Sequence, residues 1–241
     1  MTDFGLVFSF PQNEKELSAL RKAMSRNPFG CEAYTHLVLN GEKDSELFMC
    51  GKNADGKTVR VIFSYGGVTY SFDSAGGADV FDGELSPFGG DCCERLFSVR
   101  FDSYVPEEKN VRLLDGTEIK KAFELICDGK MTVGDEQRYV FRVRASANGL
   151  AETFGAFGKR GELLSTASIV AENEKYSLIG DVFTRQDMRG NGLAGRVCLE
   201  ACRRAVLRGK VPWLLCGEKL LPFYSRLGFR AFFDSEIKEI E

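Results

Sequence analysis

Histidine is almost missing from this chain: His36 is the only one in 241 residues. No two of the eight cysteines (Cys31, Cys50, Cys92, Cys93, Cys127, Cys198, Cys202 and Cys216) are spaced C-x-x-C. A Cys/His zinc site therefore has too few ligands in too poor a pattern, and no metal is expected. No apolar run reaches the roughly 20 residues that a membrane helix needs, so no membrane span is expected. No long basic run occurs and the formal charge is −3, which argues against a nucleic-acid partner. The opening "MTDFGLVFSF" has no basic flank ahead of its short apolar stretch. It reads as a first strand, not as an export leader. A reducing, cytoplasmic setting follows as the expectation, with the cysteines acting as small core hydrophobes and His36 as a structural residue.

What is present is an ordinary globular composition, 44% apolar and 28% charged, with 20 Phe against one Trp. The length suits one large domain or two of about 100–150 residues. Two passes of one rhythm can be read. In the first, "FGLVFSF" is strand-like, helices follow over Asn13–Arg26 and Cys31–Leu39, and then come the strands "ELFMCG", "TVRVIFSY" and "VTYSFD". "NADGK" turns the first hairpin and Gly66-Gly67 the second. A glycine-rich acidic stretch from Ser74 precedes a last strand, "RLFSVRF". After the polar link "VPEEKN", the second pass gives a strand "VRLL", a helix capped by Thr117, and a helix over Asp135–Ala147. The strands "ETFGAFG", "ELLSTASIVA" and "YSLIGDVFT" follow. This half continues with a loop, a long helix over Gly192–Arg208 ended by Gly209, a strand "VPWLLC", a short helix and "FRAFF". The expected fold class is α+β (α/β), a mixed, mostly antiparallel central sheet flanked by helices. It is divided into residues 1–105 and 111–241, either as tandem copies or as two unrelated small halves.

The loop "MRGNGLAGR" contains Gly190, Gly192 and Gly195 in the spacing G-x-G-x-x-G of dinucleotide-binding folds. That fingerprint needs a strand running straight into its first glycine. Here "RQDMR" intervenes, and only 46 residues follow Gly195, too few for two βαβαβ halves. Glu218, about 20 residues on, is the one feature in favour of a ribose-binding acid. Read one residue earlier, Arg189-Gly190-Asn191-Gly192-Leu193-Ala194 is R-x-x-G-x-A. Such a loop is an anion site, where backbone N–H groups and the positive end of the following helix converge on phosphate oxygens.

This loop resembles the pyrophosphate loop of the GNAT superfamily of acyl-CoA-dependent N-acyltransferases. Its context strengthens the likeness: a strand precedes it, an amphipathic helix follows, and "PFYSRLGF" at 222–229 resembles the family's closing motif. The resemblance covers residues 111–241 and implies acetyl-CoA as cosubstrate and a primary amine as acceptor, with direct attack and no acyl-enzyme. It implies that the sheet opens between "SLIGDVFT" and "VPWLLC". Val182, Phe183 and Thr184 would then offer backbone to the pantetheine arm, and a main-chain N–H would stabilise the oxyanion. Arg189, Gly190, Asn191, Gly192, Leu193 and Ala194 would hold the pyrophosphate. Tyr224 matches the family's tyrosine and would protonate the departing thiolate.

The base is not fixed by the motif. Asp181 is the first candidate, as base or amine-binding group, with Glu152 and Glu218 behind it; a water chain would also serve. Arg196, Arg203, Arg204 and Arg208 line the long helix, either as a solvated face or as contacts to the 3′-phosphate of CoA. One departure from the family is Gly217, where many members carry Asn. The first half lacks R-x-x-G-x-A in its acidic stretch "SAGGADVFDGELSPFGGD", which would repel pyrophosphate. It is expected to shape the amine site or a subunit contact, as in a homodimer. The alternative to an N-acetyltransferase is a non-catalytic acyl-CoA sensor.

Overall fold

Asn13 and Asp115 begin the first helix of each half, and each does so with its own side chain. The computed structural model describes residues 7–11, 13–25, 27–40, 48–65, 68–73, 78–81, 97–101 and 110–231. The Gly66-Gly67 turn, most of the acidic stretch from Ser74, Cys92, Cys93 and the link over 105–109 lie outside the described residues. The chain divides into two compact units, 1–93 with 173–175 and 233–241, and 94–172 with 176–232.

In the first unit, Asn13 Oδ1 accepts the Glu16 N–H at 3.0 Å and opens α1 (Glu14–Met24). Leu17, Leu20 and Met24 recur at helical spacing and form its buried stripe. A second helix, α2 (Cys31–Asn40), buries Cys31, Ala33 and Leu37. Strands β1 (Val7–Ser9), β2 (Phe48–Lys52), β3 (Thr58–Tyr65), β4 (Val68–Asp73) and β5 (Ala78–Phe81) form a sheet in the order β1-β2-β3-β4-β5. Every neighbouring pair is antiparallel. "NADGK" turns β2 into β3, with Asn53 Oδ1 accepting the N–H groups of Asp55 and Lys57. His36 is buried with its ring centroid 5.5 Å from that of Phe63, as a core residue.

The second unit holds the seven-stranded sheet, mixed and mostly antiparallel. Its strands are β6 (Phe97–Phe101), β7 (Val111–Leu113), β8 (Glu152–Phe157), β9 (Leu163–Glu172), β10 (Tyr176–Thr184), β11 (Val211–Cys216) and β12 (Phe229–Ala231). Their order is β12-β6-β11-β10-β9-β8-β7. Strand β6, from the stretch "RLFSVRF" ahead of the link, thus lies between β11 and β12 and is antiparallel to both.

Helix α3 (Gly116–Ile126) is capped by Asp115, not by Thr117 as the sequence suggested. Asp115 Oδ1 accepts the N–H groups of Thr117 and Glu118, and Glu118 reaches back to the Asp115 N–H. This reciprocal box satisfies more orphan donors than a lone threonine could. Thr132 and Asp135 build the same device at the start of α4 (Val133–Ala147).

Alternation along the strands sends successive side chains to opposite faces. Ala156 and Ala167 pack with Val197 of α5 (Leu193–Leu207), whereas Phe157 joins Ile119, Phe123 and Tyr139 of α3 and α4. Helix α5 therefore covers one face and the α3–α4 pair the other. Among the described residues no helix is long and apolar enough to cross a membrane.

Candidate functional site

Strands β10 and β11 are the one parallel pair among the described strands, and they stay together only briefly. Tyr176, Ser177 and Leu178 pair with Val211, Pro212 and Trp213. Beyond that the pairing stops, although β10 continues to Thr184 and β11 to Cys216. Among the described residues nothing pairs with the β10 edge from Ile179 to Thr184, which faces a gap in the sheet.

On its other edge the same stretch carries a β-bulge. Gly180 pairs with Ser168 and Phe183 with Thr166, so Asp181 and Val182 together oppose Ala167. Asp181 has φ +51°, in the left-handed region. The extra residue reverses the alternation of faces. Ile179 and Val182, three apart, both pack toward α5, and Asp181 turns to the α4 side. There its Oδ2 lies 3.0 Å from Nη1 of Arg142, whose side chain is only 4% exposed. The contact is an ion pair without hydrogen-bond alignment, since Arg142 Nε and Nη1 and Asp181 Oδ2 have no hydrogen-bond partner. Gly180 is required by crowding: a Cβ there would stand 2.5 Å from Val170 Cγ2.

The end of β10 is tied down. Ser165 Oγ donates to the Phe183 carbonyl at 2.8 Å, and Arg189 Nε donates to the Thr184 carbonyl at 3.3 Å. The Arg189 guanidinium also lies 5.6 Å from the Phe183 ring centroid, so this arginine braces the loop. A short 3-10 turn, Gln186–Met188, separates β10 from the glycines, which rules out the straight strand-to-glycine entry of a dinucleotide fold. Asn191 donates to the Met188 carbonyl at 3.0 Å.

The three glycines of the loop have two different physical reasons. Gly190 and Gly192 take φ +80° and +75°, with nothing within 4 Å of an added Cβ. Their need is conformational. Gly195 has ordinary helical backbone, but a Cβ there would come 3.1 Å from Leu227 Cδ2. Gly192 is the N-cap of α5 and makes no side-chain cap bond, and the first turn holds no acidic residue. The leading N–H groups of α5, starting at Leu193 and Ala194, therefore form a positive, uncapped end.

Tyr224 stands on α6 (Leu221–Arg226), where Pro222 occupies the first turn. Its ring is buried, edge-on to Phe223 at 4.9 Å and to Phe229 at 5.5 Å. Burial, with the nearby Cys198, Cys216 and Cys202 thiols, pushes its phenol well above the usual range. It is neutral at physiological pH. The six described cysteines are all free thiols.

The other acids are committed or remote. Glu152 pairs with Arg204 at 3.0 Å and Arg208 at 2.5 Å. Glu172, missed in the sequence, is 2% exposed and joins Arg208, Lys210 and Ser177 at 3.1, 3.3 and 2.6 Å. Arg203 is held by Glu200. Of the three arginines of α5 and Arg208 at its C-cap, Arg196 is the one not paired with an acid among the described residues; it lines a 390 Å³ cleft with Arg112, Asn110 and Leu193. Glu218 is exposed at the start of a 3-10 turn after Gly217. Among the described residues no cluster of His, Cys, Asp and Glu could hold a metal ion.

Residues 121–229 match the model of the acetyltransferase (GNAT) family. No curated protein matches the sequence. Among solved structures, a tandem GNAT protein from the clavulanic acid biosynthesis pathway aligns over 94% of this chain and 95% of its own, with 14% identity and a TM-score of 0.55. A Drosophila protein aligns over 95% and 96%, with 13% identity and a TM-score of 0.52. A GNAT-family protein from Novosphingobium aromaticivorans shares 22% identity over 57% of this chain, with a TM-score of 0.46, and the match spans 59% of its length. The first two likenesses extend the fold agreement across both halves.

Proposed function

We propose that this chain, whose residues 121–229 match the model of the acetyltransferase (GNAT) family, transfers the acetyl group of acetyl-CoA to a primary amine by direct attack. The observation that carries this reading is strand β10, bulged against β9 and unpaired on its other edge, ending at the glycine loop of α5. Pyrophosphate fits the uncapped N–H groups at Gly190–Ala194, where left-handed glycines keep side chains away. Backbone along Val182, Phe183 and Thr184 would run beside the pantetheine arm. A main-chain N–H in the bulge would donate to the thioester oxygen as it gains charge, and such preorganised donors are worth about 10²–10³ in rate.

Tyr224 would assist the leaving group. A phenol whose pKa is raised keeps its proton at neutral pH and donates a hydrogen bond to the forming thiolate. The acceptor amine must lose a proton to attack. With Glu152 held by two arginines and Asp181 against Arg142, that proton leaves through water. The same engagement of both carboxylates favours a second reading, an acyl-CoA sensor without turnover.

Thiol release from acetyl-CoA, measured with a panel of amino acids, polyamines and aminoglycosides, separates the two. Release with at least one amine supports the transferase. Calorimetric CoA binding without release on any amine supports the sensor. In an active protein, Tyr224→Phe should lower kcat by about 10²-fold while leaving the CoA affinity nearly intact. An unchanged kcat would remove Tyr224 from the reaction.

A further inference from the structure

We infer that Arg142 is a positioning residue for acetyl transfer and that Asp181 serves with it, as a clamp on the β10 bulge and not as the base. The inference rests on the acetyl-CoA reading above, because it assigns the bulge its task. Two described non-glycine residues have positive φ, Asp128 and Asp181. Asp128 follows the C-cap of α3, where left-handed backbone is the usual way to end a helix. Asp181 has no such excuse. It lies inside a strand, where an L-residue pays for φ +51° in crowding of its own Cβ, and aspartate is among the few that tolerate it.

What holds it there comes from another element. Helix α4 turns Phe141, Arg142 and Ala145 inward, so a guanidinium occupies a place where an apolar side chain would serve packing better. A charge 4% exposed is sustained by a counter-charge, and Asp181 Oδ2 at 3.0 Å is the one carboxylate paired with it among the described residues. Only the bulge makes this pairing possible. With regular alternation Asp181 would share the α5 face with Ile179, and Val182 would face α4. The observed pairing therefore locks the reversed alternation, and with it the direction of the amides that follow Asp181. Arg138 and Cys127 also face this carboxylate electrostatically, and Asp135 in turn neighbours both of them. A base must take a proton in each turnover. Protonation of Asp181 would strip the buried guanidinium of its counter-charge each time.

The test is a cycle of Arg142→Met, Asp181→Gly and the double variant, with Asp181→Asn alongside. Calorimetry with CoA on the unaltered chain comes first. Absence of binding would overturn the acetyl-CoA reading and with it the bulge's catalytic task, while the crystal structure of Arg142→Met would still decide the clamp. There residue 181 is expected to leave the left-handed region, and a φ still near +51° overturns the clamp. With an amine that the protein acetylates, Arg142→Met should lose about 10²-fold in kcat at nearly unchanged KM for acetyl-CoA. Glycine holds the same φ without help. The double variant should therefore recover to within about tenfold of the original kcat, above Arg142→Met alone. If Arg142→Met does not fold, the double variant, which buries neither charge, is compared with the original chain and should keep kcat within about tenfold of it, and a loss of about 10³-fold overturns the inference. A loss of about 10³-fold in both Asp181→Gly and Asp181→Asn, with no recovery in the double variant, makes Asp181 the base and overturns the inference.

Discussion

Strands β4 and β10 occupy the same place in their two sheets, fourth after a strand, two helices and two antiparallel strands. Their next partners differ. β4 meets β5, four residues on and antiparallel, and Thr69 to Phe72 all find partners there. β10 meets β11 only after a loop and a 15-residue helix, and the two run parallel. A parallel partner demands a crossover, and a crossover helix brings an N-terminus to the strand's end. From one change of direction come the uncapped, positive end of α5 and the gap beside it. The first sheet, built from the same rhythm, closes where the second opens.

The contrast between the two sheets breaks most sharply if the second one stands alone. A fragment of residues 111–241 lacks β6, leaving β12 without its neighbour and β11 with a bare edge. It is expected to show no cooperative melt and no calorimetric heat with CoA. A fragment that melts sharply and binds CoA would show that β6 is dispensable.

The next largest effect should come from Gly192→Asp, which gives the open sheet the acidic character of the closed one. A carboxylate about 4 Å from a phosphate charge costs about 4 kcal/mol near a protein surface, or roughly a thousandfold in CoA affinity. Asp also accepts left-handed backbone and suits a helix N-terminus, so the melting temperature should barely move. Retained CoA affinity would show that the loop does not hold the pyrophosphate.

The smallest effect concerns how α4 is held. The Thr132 hydroxyl and N–H, then Arg138, keep the Asp135 carboxyl well below the usual carboxylate range. A depressed folded-state pKa stabilises above the unfolded value of about 4, and that contribution fades as pH falls toward the folded value. Asp135→Asn should therefore cost about 1 kcal/mol in urea melts at pH 7, with the gap to the original protein narrowing below pH 4. A gap that stays constant with pH would assign the loss to packing.

Most of the fold was legible because the elements are locally consistent. The helices α1, α4 and α5 start within two residues of the expected points, and every expected strand is found, whereas β5 (Ala78–Phe81) lies in the glycine-rich acidic stretch where none was expected. The cap of α3 was misplaced because Asp115 and Thr117 both carry a suitable oxygen, and only the reciprocal bond from Glu118 distinguishes them. The arginines on α5 looked alike in sequence. Their separation into three held residues and Arg196 depends on Glu152, Glu172 and Glu200, two of them from other elements. Arg142 gave no local signal, since its partner lies 39 positions away on a strand whose face is inverted by a bulge. Asp181 was picked out for its position beside the expected place of the thioester, but its partner could not be. Gly180, next to it, carried the only hint of an irregular strand.

The place of β6 bears on the order in which the chain can be completed. Arg100 must wait for Trp213, and Phe101 for Phe229, more than a hundred positions later in both cases. During synthesis this strand emerges long before either neighbour exists, with both edges unpaired. Such pairings are the slow ones, because loop-closure entropy is lost before any contact rewards it. The half of the sheet beyond the gap is thus expected to form last, and the gap takes its shape only once β6, β11 and β12 have come together.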